Sequence, residues 1–174
     1  LADRHLDIIA SACRDFRLIT GGAALGGALA RTMPHGHGEA RPPALPSPPG
    51  SVAVLSGSGS AATQAQVRHL ARLVPHRQVD PVTLASDAGA LAELVSWSRA
   101  QSQHGHVLIY STTTPQDVQK AQQALGRPEA AAILERAFRT LAVALASDGV
   151  RAFVVAGGET SGAVLEAIGV KTLG

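Results

Sequence analysis

Short apolar runs alternate along this chain with stretches whose apolar residues recur at helical spacing. The runs are Val52–Leu55, Val107–Tyr110 and Phe153–Ala156, and their length and near-continuous apolar character suit strands buried on both faces of a sheet. Between them Val67, Leu70, Ala71 and Val74 form one helical stripe, and Leu91, Leu94, Val95 and Ser98 another. Ile133, Leu134, Ala137, Phe138, Leu141 and Leu145 mark a longer helix; Ala163, Val164, Leu165 and Ile168 mark the last. Gln78–Leu84 reads as a further short strand. The punctuation agrees: Asp87 stands as an N-cap, Thr114-Pro115-Gln116-Asp117 joins a capping hydroxyl to a first-turn proline and an acid, and Asp148-Gly149 supplies a terminating glycine. Strands alternating with helices predict an α/β fold, a mostly parallel sheet with helices on both faces in a Rossmann-like three-layer arrangement.

The pattern is less regular before Gly50. Residues 1–33 read as a helix, a short strand at Leu18-Ile19-Thr20, and a second helix over Ala23–Arg31 opened by Gly21-Gly22. In 34–50, Pro42, Pro43, Pro46, Pro48 and Pro49 follow His35-Gly36-His37-Gly38. Proline at that density blocks helix and central strand, so 34–50 is expected to be an extended linker between a domain remnant (1–33) and a second domain (51–174). The first residue is Leu1, and Lys171-Thr172-Leu173-Gly174 reads as the opening of another strand; truncation at both ends is the expectation.

With 174 residues and 45% hydrophobic content, the chain can bury the core of one ordinary domain. No apolar run approaches the roughly 18 residues of a membrane helix, and no charged segment leading into an apolar one marks a signal peptide. Cys13 is the only cysteine, which rules out an internal disulfide and fits a reducing, cytoplasmic compartment. On the stripe Leu6, Ile9, Ala10, Cys13 it reads as a small buried residue rather than a nucleophile. The net charge of +2 is mild, Lys and Arg are scattered, and one Trp, one Tyr and three Phe give no stacking surface. Neither nucleic acid nor a membrane is expected as a partner.

Candidate chemistry gathers where the apolar runs end. Ser56-Gly57-Ser58-Gly59-Ser60 follows the first, Ser111–Thr114 the second, and Gly157-Gly158-Glu159-Thr160-Ser161 the third. In an open α/β sheet these are ligand positions. Hydroxyls and free backbone N–H groups bind phosphate oxygens, and glycine lets the phosphate come close. Ser and Thr at such turns also serve as plain N-caps, which is the preferred reading of Ser111–Thr114. Capping needs no glycine pair, so the two glycine-bearing loops are read as contacting a ligand. No Lys follows the last glycine, so neither is a Walker A loop, and no G-x-G-x-x-G stands between strand and helix. Glu159 has three open readings: a water-mediated magnesium contact, a ribose hydroxyl contact, or an exposed first-turn acid. The pairs His35/His37 and His104/His106 lack a companion Cys or acid cluster and are read as loop histidines, so no metal site is expected. No serine triad can be assembled.

Val54-Leu55-Ser56-Gly57-Ser58-x-Ser60-x-x-Thr63-x-x-Gln66, then Val107–Ser111, then Ala156-Gly157-Gly158-Glu159-Thr160-Ser161, in that order and spacing, resembles the four-carbon acid sugar kinase family. In that family an N-terminal domain binds a sugar acid and a C-terminal domain binds ATP. The segment Asp3–Ala30, with Thr20-Gly21-Gly22-Ala23-Ala24-Leu25, looks like the end of the N-terminal domain. The resemblance makes 51–174 the nucleotide-binding domain. It implies that Ser58, Gly157, Gly158, Glu159 and Thr160 contact ATP, with Ser56 a neighbour. The implied reaction moves the γ-phosphoryl of ATP, with Mg2+, to the terminal hydroxyl of threonate, erythronate or a 3-oxo-tetronate. The implied partners are ATP and a four-carbon sugar acid, with a homodimer as a further expectation.

The sequence departs from the family pattern at several points. An Asp-Asp-x-Thr-Gly motif and a further C-terminal glycine-rich contact are absent, Gly59 replaces a larger residue, and Ala23-Ala24 replaces a Ser-Gly pair. No catalytic base is therefore assigned, and the chain by itself is expected to be inactive. The alternatives are a phosphosugar-binding isomerase or regulator domain and a non-catalytic nucleotide-binding module.

Overall fold

The computed structural model describes residues 2–33, 49–111 and 115–171. Most of the expected 34–50 linker, the His35/His37 pair, the hydroxyls Thr112–Thr114 and the strand expected to open at Thr172 lie outside the described residues. The chain divides into two compact units, Leu1–Leu45 and Pro46–Gly174.

The first unit contains α1 (Asp3–Cys13) and α2 (Ala23–Thr32). The helices touch through small residues, Ala10 and Ala28, both wholly buried, and Arg31 donates to Asp7 across them at 2.6 Å. Leu18-Ile19-Thr20 is not a strand. A three-residue extended piece is stable only when its N–H and C=O groups find a partner strand. Among the described residues the unit has none, and Leu18 is left 81% exposed. Cys13 is partly rather than fully buried, at the last position of α1.

The second unit runs β1 (Val52–Ser56), α3 (Ala61–Leu70), β2 (His76–Gln78), α4 (Pro81–Ser86), α5 (Ala90–Ser102), β3 (Val107–Tyr110), α6 (Pro115–Leu125), α7 (Arg127–Ser147), β4 (Ala152–Ala156) and α8 (Gly158–Ala167). All three strand pairings are parallel, in the order β2-β3-β1-β4. In register, Ala53 and Leu55 lie beside Val107 and Ile109 and beside Phe153 and Val155. This face packs on Leu94 of α5, Phe138, Leu141 and Leu145 of α7, and Val164 of α8 to form the core. Each such side chain contributes about 1.5–3 kcal/mol of burial. The later crossovers step from β2 to β3 and from β3 to β4, whereas the first steps the other way, from β1 to β2. With right-handed crossovers, α3 therefore lies on the opposite face from α5 and α7. On that face Leu108 is wholly buried, while Val154 on the edge strand is 55% exposed.

Two readings around β2 need correction. The strand is His76–Gln78 rather than 78–84, and Leu84 belongs to α4. Asp80 caps that helix, its carboxylate accepting from Val82 N at 3.1 Å and Thr83 N at 3.4 Å, with Pro81 in the first turn. Asp87 does not cap α5 directly; its Oδ1 accepts from Gly89 N at 2.7 Å, and Gly89 is the N-cap. Val74 lies beyond the end of α3.

Candidate functional site

β1 sits between β3 and β4; the connection leaving β1 goes toward β2 and the one leaving its neighbour β3 goes the other way, toward β4, so the sheet's topological switch point is at the carboxyl end of β1. That is where open α/β sheets bind ligands. The strand ends are tied together there. Gly57 N donates to Ala156 O at 2.8 Å, Ser111 N to Ser56 O at 2.8 Å, and Val79 N to Tyr110 O at 2.8 Å. The two glycine-bearing loops consequently lie side by side.

Their contact is close enough to dictate residue type. A Cβ on Gly57 would collide with Oγ1 of the buried Thr160. Gly157 has φ +116°, and a Cβ on it would stand 3.1 Å from Ser58 N. Both glycines therefore have a packing reason to be there. Gly59 and Gly158 differ: nothing lies within 4 Å of where their Cβ atoms would be. The missing side chains there leave open backbone.

Local chemistry shapes each loop. Ser60 is the N-cap of α3, its Oγ accepting from Thr63 N at 3.1 Å, while Ser60 N donates to Ser58 Oγ at 3.3 Å. Ser58 thus orders the turn with its own hydroxyl. Ser56 is buried at the end of β1. Helix α8 begins directly at Gly158, with Gly157 as its N-cap and no side-chain cap. The first-turn N–H groups of Gly158, Glu159 and Thr160 have no partner within the helix, a ready anion-binding arrangement. Glu159 is exposed and, among the described residues, has no ion-pair partner.

A cavity of about 900 Å³ opens over these loops, within the size range of small-molecule sites. Gly57, Gly59, Ser111, Glu159 and Thr160 line it; Ser56, Ser58, Gly157 and Gly158 are not among its lining residues. The opposite wall is made by α4, α6 and α7, with Pro81, Val118, Ala121, Ala130 and Leu134 as its apolar part and Lys120 and Arg127 as its cations. Sequence reasoning missed this wall. Asp80-Pro81 was a readable helix start, but that α6 and α7 face the loops depends on tertiary packing. His106 proves structural, its Nδ1 accepting from Val52 N at 3.0 Å at the start of β1.

Fold and site define a parallel α/β nucleotide-binding domain with paired glycine loops at its switch point. The family model described as a nucleotide-binding C-terminal domain matches residues 53–174. The chain belongs to this family, the C-terminal nucleotide-binding domain of four-carbon acid sugar kinases. It is 40% identical over 177 residues to a 3-oxo-tetronate kinase of Pseudomonas fluorescens, covering 99% of this chain and 40% of that protein. It is 39% identical over 178 residues to a 3-oxo-tetronate kinase of Escherichia coli, covering 98% and 45%. The crystal structure of Haemophilus influenzae protein HI1011 superposes with a TM-score of 0.69 at 31% identity, over 97% of this chain and 40% of that one. The chain thus spans less than half the length of these relatives.

Proposed function

We propose that this chain is the ATP-binding part of a kinase that phosphorylates the terminal hydroxyl of a four-carbon sugar acid, with a 3-oxo-tetronate as the first candidate acceptor. The relatives named 3-oxo-tetronate kinase support the acceptor class. The observation that carries the donor side is the contact between the two glycine loops, Gly57 against Thr160 and Gly157 against Ser58 N, at the switch point. On this reading residues 1–33 end the acceptor-binding domain and 51–174 hold the nucleotide.

Phosphoryl transfer asks a protein mainly for position and charge neutralisation. Here the open backbone at Gly59 and Gly158 lets phosphate oxygens reach main-chain N–H groups. The hydroxyl of Ser58 orders the first loop by accepting from Ser60 N, Thr160 packs against Gly57 where the loops meet, and the dipole of α8 favours the accumulating negative charge. Pro81, Val118 and Leu134 give the far side of the cavity an apolar part. Among the described residues no group of three or more His, Cys, Asp or Glu is placed to hold a metal. Magnesium is usually held by substrate phosphates with one or two carboxylates; Glu159 is the carboxylate that would hold it here, and the ion would neutralise phosphate charge. In the reaction the bond from the γ-phosphorus to its bridging oxygen breaks and a bond to the acceptor oxygen forms. The hydroxyl proton goes to a base that is not assigned to any residue of this chain. A cytoplasmic setting, where ATP is supplied, goes with this function.

Thermal shift of the chain with Mg-ATP against a panel of sugar phosphates tests the proposal. Stabilisation by Mg-ATP is expected. Stabilisation by sugar phosphates alone would replace it with a phosphosugar-binding domain.

A further inference from the structure

Neither glycine loop carries a cation: Ser56–Ser60 and Gly157–Ser161 contain no Lys or Arg. A triphosphate remains anionic even with one divalent ion bound, so backbone N–H groups alone would leave charge uncompensated in the cavity. The opposite wall supplies it. Lys120 shares one face of α6 with Asp117, Ala121 and Ala124, and that face lines the cavity. Arg127 opens α7 on the face that continues through Ala130, Ala131 and Leu134, which also lines it.

Of the four acids on the same cavity three are engaged, and the fourth, Glu159, has no ion-pair partner among the described residues. The Asp80 carboxylate is engaged in capping α4, accepting from two N–H groups and from Thr83 Oγ1. Glu135 is held by Arg139 at 3.2 Å. Asp117 has an interaction of its own. Among the described residues Lys120 and Arg127 have no carboxylate partner. Arg127 is moreover placed where folding alone disfavours it. It is the first residue of α7, at the positive end of the helix dipole, and the helix gains no side-chain cap from its N-cap Gly126.

We infer that Lys120 and Arg127 form a cationic clamp across the cavity from the glycine loops and bind the phosphate chain of the nucleotide, replacing the lysine that a Walker A loop carries within itself. This rests on the nucleotide reading above. It makes the two side chains phosphate-binding residues, and it divides the donor site between the strand-end loops and the α6–α7 hairpin.

The test measures binding of Mg-ATP and of adenosine to the whole chain by NMR or calorimetry. Lys120→Met and Arg127→Met are compared with wild type, with Lys120→Arg and with Arg68→Met on α3 as a control. Each methionine variant is expected to weaken ATP binding about tenfold, the loss of roughly one charge-assisted contact, and to leave adenosine binding unchanged. Lys120→Arg should restore most of the ATP affinity. Arg127→Met should fold as stably as wild type or more so, which keeps the binding result separate from misfolding. Equal ATP affinity in wild type and both methionine variants would overturn the clamp while leaving the nucleotide site standing. So would parallel losses for ATP and adenosine, which would mean a changed cavity shape. A wild type that binds neither ligand would overturn the nucleotide reading itself, and the clamp with it.

Discussion

At the scale of single residues, the four glycines of the two loops separate into two pairs. Gly57 and Gly157 are packed against the other loop, and Gly59 and Gly158 face open space. Gly57→Ala forces a side chain into Thr160, and Gly157→Ala adds strain at φ +116° to a near-contact with Ser58. Each should cost about 1–3 kcal/mol of stability in a denaturant titration. Gly158→Ala should change stability by at most about 1 kcal/mol, in the favourable direction, yet weaken ATP binding severalfold in the same titrations used for the clamp. If Gly158→Ala proved as destabilising as Gly157→Ala, the division would be wrong. The sequence showed glycines in loops expected to meet a ligand; it could not show which were needed for packing, because that depends on Thr160 lying against Gly57.

At the scale of elements, α5 and the C-cap of α7 are joined at the surface by Arg99, whose Nε and Nη2 both donate to the Asp148 carboxylate at 2.5 Å. This hydrogen bonding to Arg99 holds the Asp148 carboxyl below the usual carboxylate range. A depressed folded-state pKa contributes stability that is present above the unfolded value and is lost as pH falls through the folded one. The stability gap between wild type and Arg99→Ala should therefore be constant near neutral pH and close below about pH 4; a gap that widened in acid would contradict it. Asp80→Ala removes the cap of α4 and should cost about 1 kcal/mol in the same measurement. These elements also show how far sequence reasoning carries. β1, β3 and β4 were legible because each is a continuous apolar run, and α7 because its stripe is long. β2 was misplaced because His76-Arg77-Gln78 is polar and short and sits at the edge, so no apolar run marks it. Leu18–Thr20 looked like a strand and is not, for want of a neighbour to pair with.

At the scale of the molecule, the order β2-β3-β1-β4 converts separate loops into one site. Nothing in the periodicity of the strands specifies their order, so the sequence offered three strand-end loops without saying which adjoin. The residues named in advance largely come together: Glu159 and Thr160 line the cavity, Gly157 and Ser58 form the seam between loops, and Gly158 begins α8. Ser56 lies beneath, buried in its strand. The far wall with Lys120 and Arg127 could not be read from one dimension. On the proposed reading of this chain as the donor half of a kinase, with no assigned acceptor base, it should show no phosphoryl transfer to threonate or a 3-oxo-tetronate when assayed alone. Turnover by this chain would place the whole active site within 174 residues.

On the proposed function the two loops act together as one phosphate cradle. Backbone amide NMR during titration with Mg-ATP tests it most directly. Concerted shifts are expected at Gly57–Ser60 and at Gly158–Thr160, absent when adenosine is titrated instead. Shifts confined to one loop, or the same shifts with sugar phosphates and none with ATP, would contradict it.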